Sequence, residues 1–314
     1  MNCLHPVKIA LSDDQREKRR SFLDAPISFR FATYQYVPCG KCEACLVNRR
    51  SQWTFRLKQE LRDAISAYFI TLTYDDINLP VKNGLPFVNK RDVQLFLKRL
   101  RFLIRPFKIR YFCVSEYGPK NFRPHYHMIL FDFPNELKNK LNEYLEDSWN
   151  LGFIRVDPVN SARIHYVSGY CLDFTQIPKN LKKPFMLCSR RPGIGYRFLD
   201  VNGVLDYCAA NTTDLWTVAD NDSAFKVKIP RYYKDKLFGD DLKLQIALQS
   251  SEFFSQHFTE ISAKQREWLN RKGIQITYKS LHTPYPGCPY DLELQEKRRF
   301  QKKVIDNSKN KSDI

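Results

Sequence analysis

The chain has 314 residues, 43% of them hydrophobic, with 23 Phe, 17 Tyr and 4 Trp, which is enough for a sizeable core and excludes a disordered chain. Lys and Arg number 51 against 34 Asp and Glu, a net charge of +17 that favours a polyanionic partner, with nucleic acid foremost. No stretch approaches the ~20 apolar residues of a membrane span, and Met1-Asn2-Cys3-Leu4-His5-Pro6 lacks a secretory apolar run, so we expect a cytoplasmic protein with neither a membrane partner nor a small-molecule substrate.

Residues 1–45 read as loop-rich and hold four of the nine cysteines, an odd total that argues against a disulfide framework. Cys39, Cys42 and Cys45 form a CxxCxxC group, and a fourth ligand would complete a tetrahedral zinc or iron–sulfur site. Cys3 is the first choice for that ligand and His5 the second; the plain alternative is a set of reduced, unliganded thiols. A helix is expected from about 46 to 67, where Trp53, Leu57 and Leu61 recur every four residues and Arg49, Arg56, Lys58 and Arg62 take other faces. Residues 68–74 (YFITLTY) read as a buried strand, and 75–88, with Pro80, Asn83-Gly84 and Pro86, as a loop.

Asn89 can cap an amphipathic helix running to Ile104, its stripe formed by Val93, Phe96, Leu97, Leu100 and Ile104, with Lys98, Arg99 and Arg101 facing away. Two strands follow, about 109–117 and 124–133, joined by the turn Gly118-Pro119-Lys120-Asn121. Beyond them come a helix at 135–149, a strand at 153–156 and a helix at 161–174. From residue 175 the pattern weakens into Pro- and Gly-rich loops; 245–270 reads as helical, and the polar tail from Asn307 as disordered. This is the α+β class: a central antiparallel β-sheet with flanking helices, a Cys-rich N-terminal segment and a mainly helical C-terminal region. The expected divisions are 1–50, 51–210 and 211–314.

His125 and His127 lie two apart on the second hairpin strand, so both imidazoles project from one face. If Glu116 pairs across from His125 it joins that face, and two imidazoles with a carboxylate suit Mg²⁺, Mn²⁺ or another divalent ion. A solvent-facing histidine pair, with Glu116 paired to Arg123 or Lys120, is the plain alternative. Tyr166 and Tyr170, one helical turn apart, share a face; such pairs are usually core packing, yet a phenol oxygen can also attack a phosphodiester. Candidate DNA contacts are Arg49, Arg50, Lys98, Arg99, Arg101, Arg123, Lys179, Lys182, Lys183, Arg190 and Arg191, with aromatics among them suited to stacking on unpaired bases.

The order Phe69-Ile70-Thr71-Leu72-Thr73, His125-Tyr126-His127, then Tyr166 with Tyr170 resembles the three motifs of HUH endonucleases. Over most of residues 1–240 the chain resembles replication initiators of gokushovirus-type microviruses, which are small single-stranded DNA phages. That likeness rests on Pro38 to Cys42 with Cys45, Ser115 to Gly118, Arg123 to His127, Tyr166 to Tyr170, Ser189 to Gly195 and Pro230 to Phe238. The resemblance implies a rolling-circle initiator in the host bacterial cytoplasm. His125, His127 and Glu116 would bind Mg²⁺ or Mn²⁺, and Tyr166 and Tyr170 would alternate as nucleophiles. Its partners would be single-stranded and supercoiled phage origin DNA, with a host helicase and polymerase. One departure stands out: related enzymes often carry a lysine a turn after the tyrosines, whereas here Cys171-Leu172-Asp173-Phe174 follows, leaving Lys179, Lys182 or Lys183 for that role. The rival readings are a zinc-stabilised, non-catalytic nucleic-acid-binding protein and a relaxase or transposase of a mobile element.

Overall fold

The computed structural model describes residues 3, 6–118, 121–169, 180–220, 223–277, 280, 285–296 and 298–299. The chain divides into two compact units, Arg49–Val201 and a second one from Met1–Asn48 with Asn202–Asn310; the division falls inside one helix, α1 (Glu43–Asp63).

The first unit is built on β1 (Ala67–Tyr74), α2 (Lys90–Leu103), β2 (Arg110–Tyr117), β3 (Pro124–Phe131), α3 (Leu141–Ser148), β4 (Gly152–Pro158), α4 (Ser161–Gly169) and β5 (Met186–Cys188). The five strands form one sheet in the order β4-β1-β3-β2-β5, with every pair antiparallel. As the alternation of residues demands, β3 sends Tyr126, Met128 and Leu130 to one face and Ile129 and Phe131 to the other. The first face packs under α2 and α3 through Val93, Phe96, Leu97, Leu100, Leu141 and Leu145. The other packs under α1 and α4, where Leu57, Ile164 and Val167 meet Phe69, Phe112, Val114, Ile129 and Phe131. Asn89 caps α2 by accepting from the Arg91 amide (3.1 Å), and the apolar stripe from Val93 to Ile104 is buried.

Several elements were not apparent from the sequence pattern. A short hairpin, Val81–Lys82 with Leu85–Pro86, interrupts the 75–88 loop, and β5 adds a fifth strand. Asn135–Lys140 is a 3₁₀ turn leading into α3. Gly152 opens β4 at φ 148°, where an added Cβ would lie 2.3 Å from the Asp75 amide nitrogen, so the tight β1–β4 junction requires glycine.

In the second unit the N-terminal segment is more ordered than expected. Val7–Ala10 pairs with Tyr34–Val37, and Ser12 caps the helix Asp13–Ser21 with a reciprocal capping box involving Gln15. The C-terminal part is mainly helical, with Asp240–Arg271 its longest helix, but it also holds the antiparallel pair Leu215–Asp220 and Ser223–Lys228. Among the described residues no helix is long and apolar enough to cross a membrane.

Candidate active site

In the β1–β3–β2 register Thr73 faces His125, which faces Glu116, while Thr71 faces His127. All five residues therefore share the α1/α4 side of the sheet. Glu116 Oε2 lies 2.9 Å from His127 Nε2. Each histidine Nδ1 sits 3.2 Å from a threonine hydroxyl, His127 with Thr71 and His125 with Thr73. If Nδ1–H donates to the hydroxyl, Nε2 carries the free lone pair, the tautomer a metal ligand needs. Burial, then the neighbouring His127, pushes the His125 pKa down against the opposing pull of Glu116, so this imidazole is neutral at pH 7. Its Nε2 faces Gly118, where an added Cβ would stand only 3.1 Å away. Two imidazoles and a carboxylate on one face fit a divalent cation by donor chemistry. They are less tightly gathered than the cysteine group below, which alone among the described residues brings at least three ligand atoms within 4.8 Å of one another.

Tyr166 projects from α4 over this row, its ring 5.4 Å from that of His127 and 6.3 Å from that of Phe69, both edge-on. It keeps 39% of its surface exposed, as a group that must meet a DNA phosphate requires. The helix carrying it is pinned to α1: Thr54 Oγ1 and Ser168 Oγ share a buried 2.8 Å hydrogen bond, and Arg50 donates to the His165 carbonyl (3.0 Å). Tyr170 and Lys179 lie outside the described residues, as do His5, the end of the expected 161–174 helix and the tail from Asn307.

The basic candidates fall into two groups. Lys98, Arg101, Lys182, Lys183, Arg190 and Arg191 are exposed, as is Arg49. Arg50, Arg99 and Arg123 instead bind backbone: Arg99 donates to the Ser148 carbonyl (2.8 Å), and Arg123 to the Tyr74 carbonyl (3.1 Å) as well as to Asp76. Sequence reasoning missed Thr71, Thr73 and Gly118. The two threonines were visible as polar residues at alternate positions of an otherwise apolar strand.

In the second unit the sulfurs of Cys3, Cys39, Cys42 and Cys45 gather within 4.8 Å of one another. Cys3–Cys42 and Cys39–Cys45 are 3.8 and 3.9 Å apart. A tetrahedron of sulfurs ~2.3 Å from zinc has edges of about 3.8 Å, so the four fit that ion. The amides of Lys41 and Cys42 donate to Cys39 Sγ (3.4 and 3.3 Å), and that of Cys39 to Cys3 Sγ (3.2 Å). Burial works against ionisation of Cys39, but the two amides and the thiols of Cys3 and Cys42 outweigh it and bring its pKa down to about 6. Burial pushes the Cys45 thiol up.

A family model for replication-associated protein ORF2 matches residues 67–175, the stretch that runs from β1 past α4 and contains the histidine, glutamate and tyrosine candidates. The chain is 27% identical over 261 residues to replication-associated protein VP4 of Bdellovibrio phage phiMH2K, covering 75% of this chain and 76% of that protein. It is 24% identical over 243 residues to replication-associated protein ORF4 of Chlamydia phage 1, covering 72% of this chain and 58% of that one. The chain is a relative of the microvirus replication-associated proteins. A third relative, replication-associated protein ORF2 of Spiroplasma virus 4, is 25% identical over 193 residues, covering 54% of this chain and 60% of that protein. The match thus spans under two thirds of the Chlamydia and Spiroplasma proteins. No solved structure matches the chain.

Proposed function

We propose that this protein initiates rolling-circle replication of a small single-stranded DNA phage by nicking one strand at the origin and later rejoining it. The observation that carries the reading is the edge-on contact between Tyr166 and His127, at 5.4 Å, with Glu116 hydrogen-bonded to the same imidazole. It places a solvent-reachable phenol against a row of metal-type ligands.

In the proposed step the Tyr166 oxygen bonds to phosphorus and gives up its proton. The bond to the 3′ oxygen breaks, that oxygen takes up a proton, and a 3′-hydroxyl is left for a host polymerase. The 5′ end stays on tyrosine as an ester that a 3′-hydroxyl can reclaim, so joining needs no other energy source. Tyr170 is proposed as the second nucleophile, which cuts the regenerated origin. His125, His127 and Glu116 would hold Mg²⁺ or Mn²⁺, which when bound offsets charge on the phosphate oxygens. Thr71 and Thr73 fix the imidazole orientations, and the α1 contacts to Ser168 and the His165 carbonyl hold the nucleophile's helix in place. Exposed cations, Lys98, Arg101, Lys182, Lys183, Arg190 and Arg191 among them, would carry the DNA backbone contacts. The Cys3, Cys39, Cys42 and Cys45 group is proposed to hold a structural zinc. The work would be done in the host cytoplasm.

The test is to incubate the protein with Mn²⁺ and single-stranded fragments of the phage genome and resolve the products on a denaturing gel. A DNA–protein adduct that needs the metal and disappears with His127→Ala supports the reading. Tight DNA binding without cleavage of any fragment would instead support the non-catalytic binding protein.

A further inference from the structure

The row that carries His125 does not end at Thr73. On the far side of β1, Thr73 pairs with Phe153 of the edge strand β4, so Phe153, Thr73, His125 and Glu116 form one continuous cross-strand row on one face. The next row runs Arg155, Thr71, His127. Along β4 the alternation is clean: Ile154 and Val156 pack on the core under α2 and α3, and Phe153, Arg155 and Asp157 take the opposite side.

Phe153 is 70% exposed, the most exposed aromatic side chain among the described residues. Apolar packing from α1 and α4 on this face centres on Phe69, Phe112, Val114, Ile129 and Phe131, away from the row of Phe153. Phe102, the next most exposed at 62%, differs in having Arg105 over its ring. Beside Phe153, Arg155 (3.0 Å) and Arg163 (3.1 Å) share the single carboxylate of Asp157, leaving a net positive trio. Two strand spacings, about 10 Å, separate the Phe153 backbone from that of His125. A flat, solvated aromatic ring beside arginines, on a chain of net charge +17, is what a sequence-tolerant grip on unpaired bases requires.

We infer that Phe153 is a stacking platform for one unpaired base of single-stranded DNA, next to the nucleotide whose phosphate sits at the histidines. This deepens the proposed function and rests on it for the identity of the strand. The platform faces a base and leaves phosphate contact to the arginines, so its contribution is selective for single strands: in a duplex both faces of each internal base are already stacked.

The experiment measures fluorescence anisotropy of a labelled oligothymidylate, and of a labelled duplex, with the full-length protein and its Phe153→Ala and Phe153→Trp variants, without divalent metal. Phe153→Ala should weaken single-strand binding roughly five- to a hundredfold and leave duplex binding unchanged. Phe153→Trp should retain single-strand affinity, and its indole emission should be quenched on addition of the oligonucleotide. Unchanged single-strand affinity in Phe153→Ala overturns the inference, as does equal loss on both DNAs. A lowered melting temperature with unchanged binding would also overturn it and mean that the ring packs against the chain itself. Because binding is read without cleavage, failure here leaves adduct formation by the wild type untouched. Equally, failure to form any adduct would leave the stacking result standing.

Discussion

Thr71 Oγ1 lies 3.2 Å from Nδ1 of His127, and this contact decides which ring nitrogen is left to face Glu116. Valine has nearly the same shape but cannot accept the Nδ1 proton. Thr71→Val should therefore weaken Mn²⁺ binding by about 10- to 100-fold while the fold is kept. Titration calorimetry with Mn²⁺ measures this, and an unchanged affinity would remove the threonine from the site.

Gly118 sits where an added Cβ would approach His125 Nε2 to 3.1 Å. Gly118→Ala should push that imidazole aside, lowering the nicking rate at limiting Mn²⁺ more than at saturating Mn²⁺. A rate loss independent of metal concentration would point to a disturbed hairpin instead.

Glu60 and Arg110 form a buried ion pair, and the loop at 192–195 hangs on it: Gly195 N donates to Glu60 (2.5 Å), and Arg110 donates to the carbonyls of Pro192 and Gly193 (both 3.0 Å). Glu60→Ala leaves the Arg110 guanidinium buried without its carboxylate. The expected cost is about 3–5 kcal/mol in urea unfolding. A change below about 1 kcal/mol would mean the loop is held by other contacts.

Much of the sheet and both sides of the site were legible because β3 alternates cleanly: residues 126, 128 and 130 need one apolar face, so 125 and 127 must take the other. The hairpin turn then puts Glu116 opposite His125. Other features left no such trace. The strand Met186–Cys188 is three residues long, too short to show a period, and Val7–Ala10 is exposed throughout, so no buried face marks it. The Glu60–Arg110 pair joins residues fifty positions apart, a separation over which a single sequence carries no contact signal. Arg99 and Arg123 looked like surface cations because composition cannot tell a solvated guanidinium from one that closes on a backbone carbonyl. The fourth cysteine was legible through chemistry, since three thiolates leave a tetrahedral site incomplete.

In metal-stripped protein the Cys39 thiol, with its pKa brought down to about 6, is ionised at neutral pH, while burial keeps Cys45 protonated. Folding thus releases the Cys39 proton between about pH 6 and the ordinary thiol range, so stability from this group is full above that range and is lost as pH falls through 6. Iodoacetamide should label Cys39 ahead of Cys45, with a rate midpoint near pH 6 that peptide mapping can follow. Added Zn²⁺ should block the labelling. Labelling that is indifferent to Zn²⁺ would count against the metal site.

The central claim is that a tyrosine of this chain takes the 5′ end of the cut strand, and mass spectrometry of the trapped adduct tests it most directly. After cleavage with Mn²⁺ and digestion with nuclease and protease, the account predicts a nucleotide on a peptide containing Tyr166 or Tyr170, and the Tyr166 adduct should vanish in Tyr166→Phe. A nucleotide found on a serine or on a tyrosine elsewhere, or efficient cleavage with both phenols replaced, would contradict it.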